Sequence, residues 1–89
     1  GVLTHPSSWL PSNEIPNSIR RQLRGHRMEF RLDIDRAGEV SACTLSGDAI
    51  TAGIERTICE ILVRNARFSA GLDENGDPAP GYYTNRIAF

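Results

Sequence analysis

Cys43 and Cys59 are the two residues whose type most directly invites chemistry. Neither has a partner at metal-ligand spacing, and His5 and His26 lie far off in the chain, so no zinc site is expected. Redox-active pairs usually keep two residues between their thiols, and this pair does not. Two readings stay open: a structural disulfide, or two buried free cysteines. A disulfide closing a loop of about sixteen residues would stabilise the fold by roughly 3 kcal/mol in the chain-entropy model. It would also imply an oxidising compartment.

Two acidic loops come next. Asp33-Ile34-Asp35-Arg36-Ala37-Gly38 begins like a calcium loop, and Asp73-Glu74-Asn75-Gly76-Asp77 is reminiscent of one. Such a loop needs a carboxylate at its twelfth position, which here is Thr44 in one case and Thr84 in the other. Both are therefore read as strand-end turns. Serines and two histidines are present, but no GxSxG, HExxH or P-loop pattern occurs, and a core this small leaves little room for a pocket. No catalytic residue, metal or cofactor is expected. The fourth candidate is the last stretch of chain, Tyr83–Phe89. If it forms the edge of a sheet, its free N–H and C=O groups can pair with an extended peptide.

The composition bounds these readings. The 89 residues make one domain, with eleven acids against ten bases and a net charge of -1, which argues against a nucleic-acid partner. All ten bases are Arg, too scattered in the sequence to define a site. The 39% of apolar residues is too rich for a disordered chain. No apolar run is long enough to cross a bilayer. The chain opens on Gly1 with no signal-peptide pattern, so it is expected to be an excised or processed domain, with any membrane anchor or address upstream of it.

The elements that must position these groups are readable from periodicity. Residues 1–15, with prolines at 6 and 11, carry no period and read as an extended lead-in from a linker, with Trp9 and Leu10 as anchors. Pro16 starts a short helix through Ile19 and Leu23 that Gly25 ends. Met28, Phe30, Leu32 and Ile34 alternate with charged residues, a strand with one wet face. A Gly-containing turn leads to a return strand near 39–45, where a bulge near Ala42 would turn Val40, Cys43 and Leu45 all inward. Ile50, Ile54, Ile58, Ile61 and Leu62 follow a helical period that should end by Asn65, with Glu60 and Arg64 as an i,i+4 pair on the wet side. A turn-rich loop over 72–81 then precedes the last strand, on which Tyr83, Ile87 and Phe89 share a face. The fold class is α+β, in the order α-β-β-α-β.

The run Phe30–Asp35, Gly38, Val40, Cys43–Ser46, a helix with Cys59, then Arg67-Phe68 followed by Gly76, Pro78 and Gly81 resembles the TonB C-terminal domain family. More narrowly, it is similar to the two-cysteine variety found in alphaproteobacterial energy transducers. The resemblance covers about Trp9 to Phe89 and rests on the order and spacing of the set. It implies two helices on one face of a three-stranded sheet, the domain proper spanning 16–89, and a Cys43–Cys59 disulfide. It also implies a periplasmic address, an upstream Pro-rich spacer and a single inner-membrane helix before it, with ExbB and ExbD as motor partners. The outer partner would be a TonB-dependent transporter, whose TonB box adds as a strand beside Tyr83, Thr84, Asn85, Arg86 and Ile87. Energy passed along that pairing would drive uptake of nutrients such as iron chelates.

The chain departs from the family at Ile15-Pro16, where Tyr-Pro is usual, and at Ser12-Asn13-Glu14, where the best-studied members are Gln-rich. It departs again at Phe68-Ser69-Ala70-Gly71, where Phe-x-Pro-Ala is usual. The same resemblance admits an alternative, a non-catalytic periplasmic interaction module on another envelope protein of sensor, peptidase or TolA-like type. An exposed edge strand further admits strand exchange into a homodimer.

Overall fold

The alternation of apolar and charged residues from Arg27 to Ile34 becomes the central strand of the computed structural model, which describes residues 1–89. In chain order the strands are β1 (Arg27–Ile34), β2 (Val40–Ser46), β3 (Gly71–Leu72), β4 (Pro78–Ala79) and β5 (Gly81–Ala88). The helices are α1 (Asn17–Leu23) and α2 (Ala52–Asn65). The main sheet has the order β2-β1-β5 with both pairings antiparallel, and β3 and β4 form a separate small hairpin. The fold is α+β, and both helices bury their apolar faces in one core with Met28, Phe30, Leu32 and Ile34 of β1. The opposite face of β1 carries Arg27, Glu29, Arg31 and Asp33. No helix is long and apolar enough to cross a membrane.

Local chemistry explains each boundary. Pro16 precedes α1, and Gly25, at φ +80°, ends the turn that follows it. Between β1 and β2, Asp35 Oδ1 accepts the N–H groups of Ala37 and Glu39 at 2.9 and 3.0 Å. Gly38 closes that turn at φ +83°, and a Cβ there would lie 2.8 Å from the Phe68 carbonyl oxygen, so glycine is needed twice over. The expected bulge is present: Asp33 pairs with Ala42 but Ile34 pairs with Val40, leaving Ser41 as the extra residue. Thr51 caps α2 by accepting the Ile54 N–H at 3.2 Å. Ile54, Ile58, Ile61 and Leu62 are buried along that helix, each contributing about 1.5–3 kcal/mol of apolar transfer. Ile50 packs on the core from just before the cap.

Three expectations are corrected. Residues 1–15 are not an extended lead-in: they form single 3-10 turns at Pro6–Ser8 and Ser12–Glu14, and Trp9 and Ile15 are buried in the core. Trp9 packs 5.2 Å from the rings of both Phe68 and Tyr83, and its indole N–H donates to Thr4 Oγ1 at 2.7 Å. The burial of a large aromatic ring with its polar atom satisfied outweighs the lack of periodicity. Second, Arg64 ion-pairs with Glu14 rather than Glu60, because the second 3-10 turn brings that carboxylate to the end of α2. Third, the loop over 72–81 is partly structured, with β3 and β4 paired around an Asp73 turn of the same kind as the Asp35 turn.

Candidate functional site, the open edge of the sheet

The site is built on β5, which pairs with β1 over its whole length from Gly81 opposite Ile34 to Ala88 opposite Arg27. Just beyond it, Phe89 directs both main-chain groups toward the β1 side, donating to the His26 carbonyl and accepting from the Gly25 N–H, each at 3.0 Å. Antiparallel ladders alternate inward and outward pairs. Ile87, Asn85, Tyr83 and Gly81 therefore bond to β1, while Ala88, Arg86, Thr84 and Tyr82 present their N–H and C=O groups away from it. No backbone group elsewhere in the chain bonds to these four. The exception among their donors is the Arg86 N–H, which bonds to the neighbouring Asn85 Oδ1 at 2.8 Å.

The side chains alternate the other way. Tyr83 and Ile87 turn toward the core and are half-buried, whereas Tyr82, Thr84 and Arg86 lie exposed. Tyr83 is held by Trp9, Phe68 and Phe30, whose rings sit 5.2 to 6.0 Å from its own. On the opposite face, the Arg31 guanidinium lies 4.3 Å over the Tyr82 ring. Asn85 Nδ2 also donates to the Tyr83 hydroxyl at 3.3 Å, so this one side chain joins the aromatic cluster to the free edge. Alongside the strand runs a groove of about 560 Å³, with His5, Pro6, Ser7 and Leu10 along one wall, Phe30 at its base and Tyr83, Asn85 and Ile87 along the other. A strand added to β5 would place alternate side chains in that groove, because side chains alternate faces along any strand.

The lead-in is what makes the second wall. Asn65 at the end of α2 donates to the Trp9 carbonyl at 3.0 Å and to both oxygens of Glu14 at 3.3 Å, and Arg64 pairs with the same carboxylate. These partners hold the Glu14 carboxyl below its ordinary range, the Arg64 hydrogen bond being the largest cause and that of Asn65 the next. Glu14 is thereby committed to holding the lead-in on α2.

The other edge of the sheet is tied to a helix at two points. Cys43 on β2 and Cys59 on α2 form a disulfide with Cα atoms 5.8 Å apart, resolving the two readings left open above. Glu55 of α2 accepts the outward N–H of Leu45 at 3.0 Å. The bulge at Ser41 also interrupts the regular ladder that a partner strand would extend.

All five residues expected to pair with a partner lie on β5, but they divide by role. Thr84 and Arg86 offer main-chain groups, while Tyr83, Asn85 and Ile87 spend theirs on β1 and supply the groove wall. Tyr82 and Ala88 were not anticipated as outward positions, since the ladder phase depends on pairing with β1. Also unanticipated are Arg20, Arg21 and Arg24, which with Asn17 line a hollow beside Phe89 at the far end of β5. Their i, i+1, i+4 spacing on the wet side of a short helix was the available signal. Compared with protein-family models, curated proteins and solved structures, the chain matches none.

Proposed function

We propose that this domain is a strand-accepting adaptor that takes an extended peptide from a partner protein as a fourth strand along β5, without catalysis. The observation that carries the reading is the row of outward main-chain groups at Tyr82, Thr84, Arg86 and Ala88, beside a groove, in a sheet whose other edge is bulged and tied to α2. Main-chain bonds would supply affinity and the groove modest side-chain selection. The helix and strand order, the Cys43–Cys59 bond and the edge position of β5 are all in keeping with a TonB C-terminal domain. On that reading the peptide is the TonB box of an outer-membrane TonB-dependent transporter. The whole protein would be anchored in the inner membrane with ExbB and ExbD, and this domain would work in the periplasm.

The experiment is a titration of isotope-labelled domain with TonB-box peptides, read on backbone amides. Shifts should concentrate on Tyr82–Ala88 and exceed those on β2. Shifts spread evenly over the sheet, or absent with every box from a folded domain, would overturn the transporter reading.

A further inference from the structure

Resting on the strand-accepting reading, we infer that the peptide taken up by β5 carries an acidic flank, held by Arg20, Arg21 and Arg24 where the strand runs out. Asn17, Arg20 and Arg21 lie on α1 and Arg24 is its C-cap, so the four follow at i, i+3, i+4 and i+7, while Ile19 and Leu23 are buried on the other side. The stripe borders a hollow of about 500 Å³ whose remaining wall is Phe89, the residue directly after β5.

The stripe has no partner within the domain. All three arginines are exposed, and the molecule's ion pairs are Arg31–Asp33 and Arg64–Glu14, neither of which uses them. Arg20 bonds to the Asn17 side chain, a neutral acceptor. Like charges at i,i+4 repel. Their place near the helix C-terminus recovers some of that, but a neutral residue would avoid the repulsion altogether. Repulsion that the domain offsets only in part points to something outside the chain.

The charge also varies along β5. The β3–β4 hairpin that leads into the strand carries Asp73, Glu74 and Asp77, all exposed, and the arginine stripe stands at the opposite end. An extended peptide on this edge therefore meets negative charge at one end and positive charge at the other. Acidic residues are favoured only beyond the Ala88 end. Guanidinium groups suit carboxylates because they bond them in a planar, bidentate manner.

The test uses three end-blocked peptides built on one alternating Val/Thr core of about nine residues, enough to run the length of β5 at ~3.3 Å per residue. One has no flank, one a short run of aspartates before the core, and one the same run after it. Binding is followed by fluorescence anisotropy and by amide shifts, at low and at high salt. One flanked peptide should bind about tenfold tighter than the bare core at low salt, with added shifts on α1, and the gain should shrink as salt screens it. Which flank gains reports whether the added strand is parallel or antiparallel. The exposed triple variant Arg20→Gln, Arg21→Gln, Arg24→Gln should erase the gain and leave the bare core's affinity intact, while Arg56→Gln changes neither. Equal affinity for all three peptides, with β5 still shifting, would overturn the acidic flank alone. Shifts on α1 with β5 silent, or silence everywhere, would overturn strand addition and the flank together.

Discussion

The sheet has two edges of the same chemistry and opposite treatment. β2 is fastened to α2 by the Cys43–Cys59 bond, its Leu45 N–H is taken by Glu55, and Ser41 bulges out of its ladder. β5 has no bulge and no tie to a helix: eight residues pair without a break to β1 and leave four outward positions beside a groove, with one N–H, that of Arg86, taken by Asn85. Unprotected edges invite aggregation, and proteins usually cover, bulge or charge them. Here the bulge and the ties to a helix are both on β2. β5 therefore offers the longer regular ladder to an added strand, and β2 the interrupted one.

The largest effect should come from unfastening the tied side. Cys43→Ser removes a cross-link worth about 3 kcal/mol in the chain-entropy model, and a domain this size should lose on the order of 10 °C in melting temperature. Peptide binding at β5 by the protein that remains folded should not change. Loss of binding in step with stability would mean that the two edges are not independent. Next comes a proline pair on the open side. Thr84→Pro removes an N–H that faces away from β1, a placement edge strands tolerate, so it should cost about 1 kcal/mol of stability and weaken peptide binding at least ~10-fold. Tyr83→Pro removes a ladder bond and an aromatic contact, and should cost clearly more than Thr84→Pro. If the two prolines destabilise equally, the inward and outward assignments along β5 are wrong.

The contrast between the edges was only half legible before the structure. β1 and α2 announce themselves because alternation and the 3.6-residue period report burial locally, and the imperfect phase of Val40 against Cys43 disclosed the bulge. The order of strands is a long-range property that no window of residues contains, so the open edge could be stated only as a condition. The lead-in misled for a related reason. Its turns are set by Pro6 and Pro11 and have no period, and Trp9 is buried by Phe68 and Tyr83 from the far end of the chain. The Glu60–Arg64 pairing followed a sound local rule, yet Glu14 arrived from across the fold with Asn65 as a second partner. The arginine stripe looked scattered because its meaning lies in its neighbour Phe89, also distant in sequence.

A smaller effect concerns the one guard that β5 possesses. Asn85 Oδ1 covers the Arg86 N–H and must let go before a partner carbonyl can take that donor. Asn85→Ala should raise peptide affinity by roughly two- to tenfold, the net worth of one ordinary hydrogen bond. The same variant should self-associate more readily by sedimentation, because the freed donor also serves a second copy. A fall in affinity would instead make Asn85 part of the partner contact.

The smallest expected effect links the two sides through pH. Glu14 is held ionised by Arg64 and Asn65, so its carboxyl titrates lower in the folded state than in the unfolded chain. A depressed carboxylate contributes its stability above the unfolded value, and loses it as the pH falls through the folded one. Between those limits the unfolded chain binds more protons, so stability must rise with pH there. Acidification should therefore loosen the second 3-10 turn first, and with it the Asn65 contact to the Trp9 carbonyl on which the groove wall depends. Amide shifts of Trp9, Glu14 and Tyr83 should then follow one shared titration below the ordinary carboxylate range, and Glu14→Gln should flatten it. Cys43 and Cys59 should stay silent over the same range, because the disulfide joins them without using Glu14. If they move together with Trp9, acid opens the whole domain at once and the groove wall has no separate response.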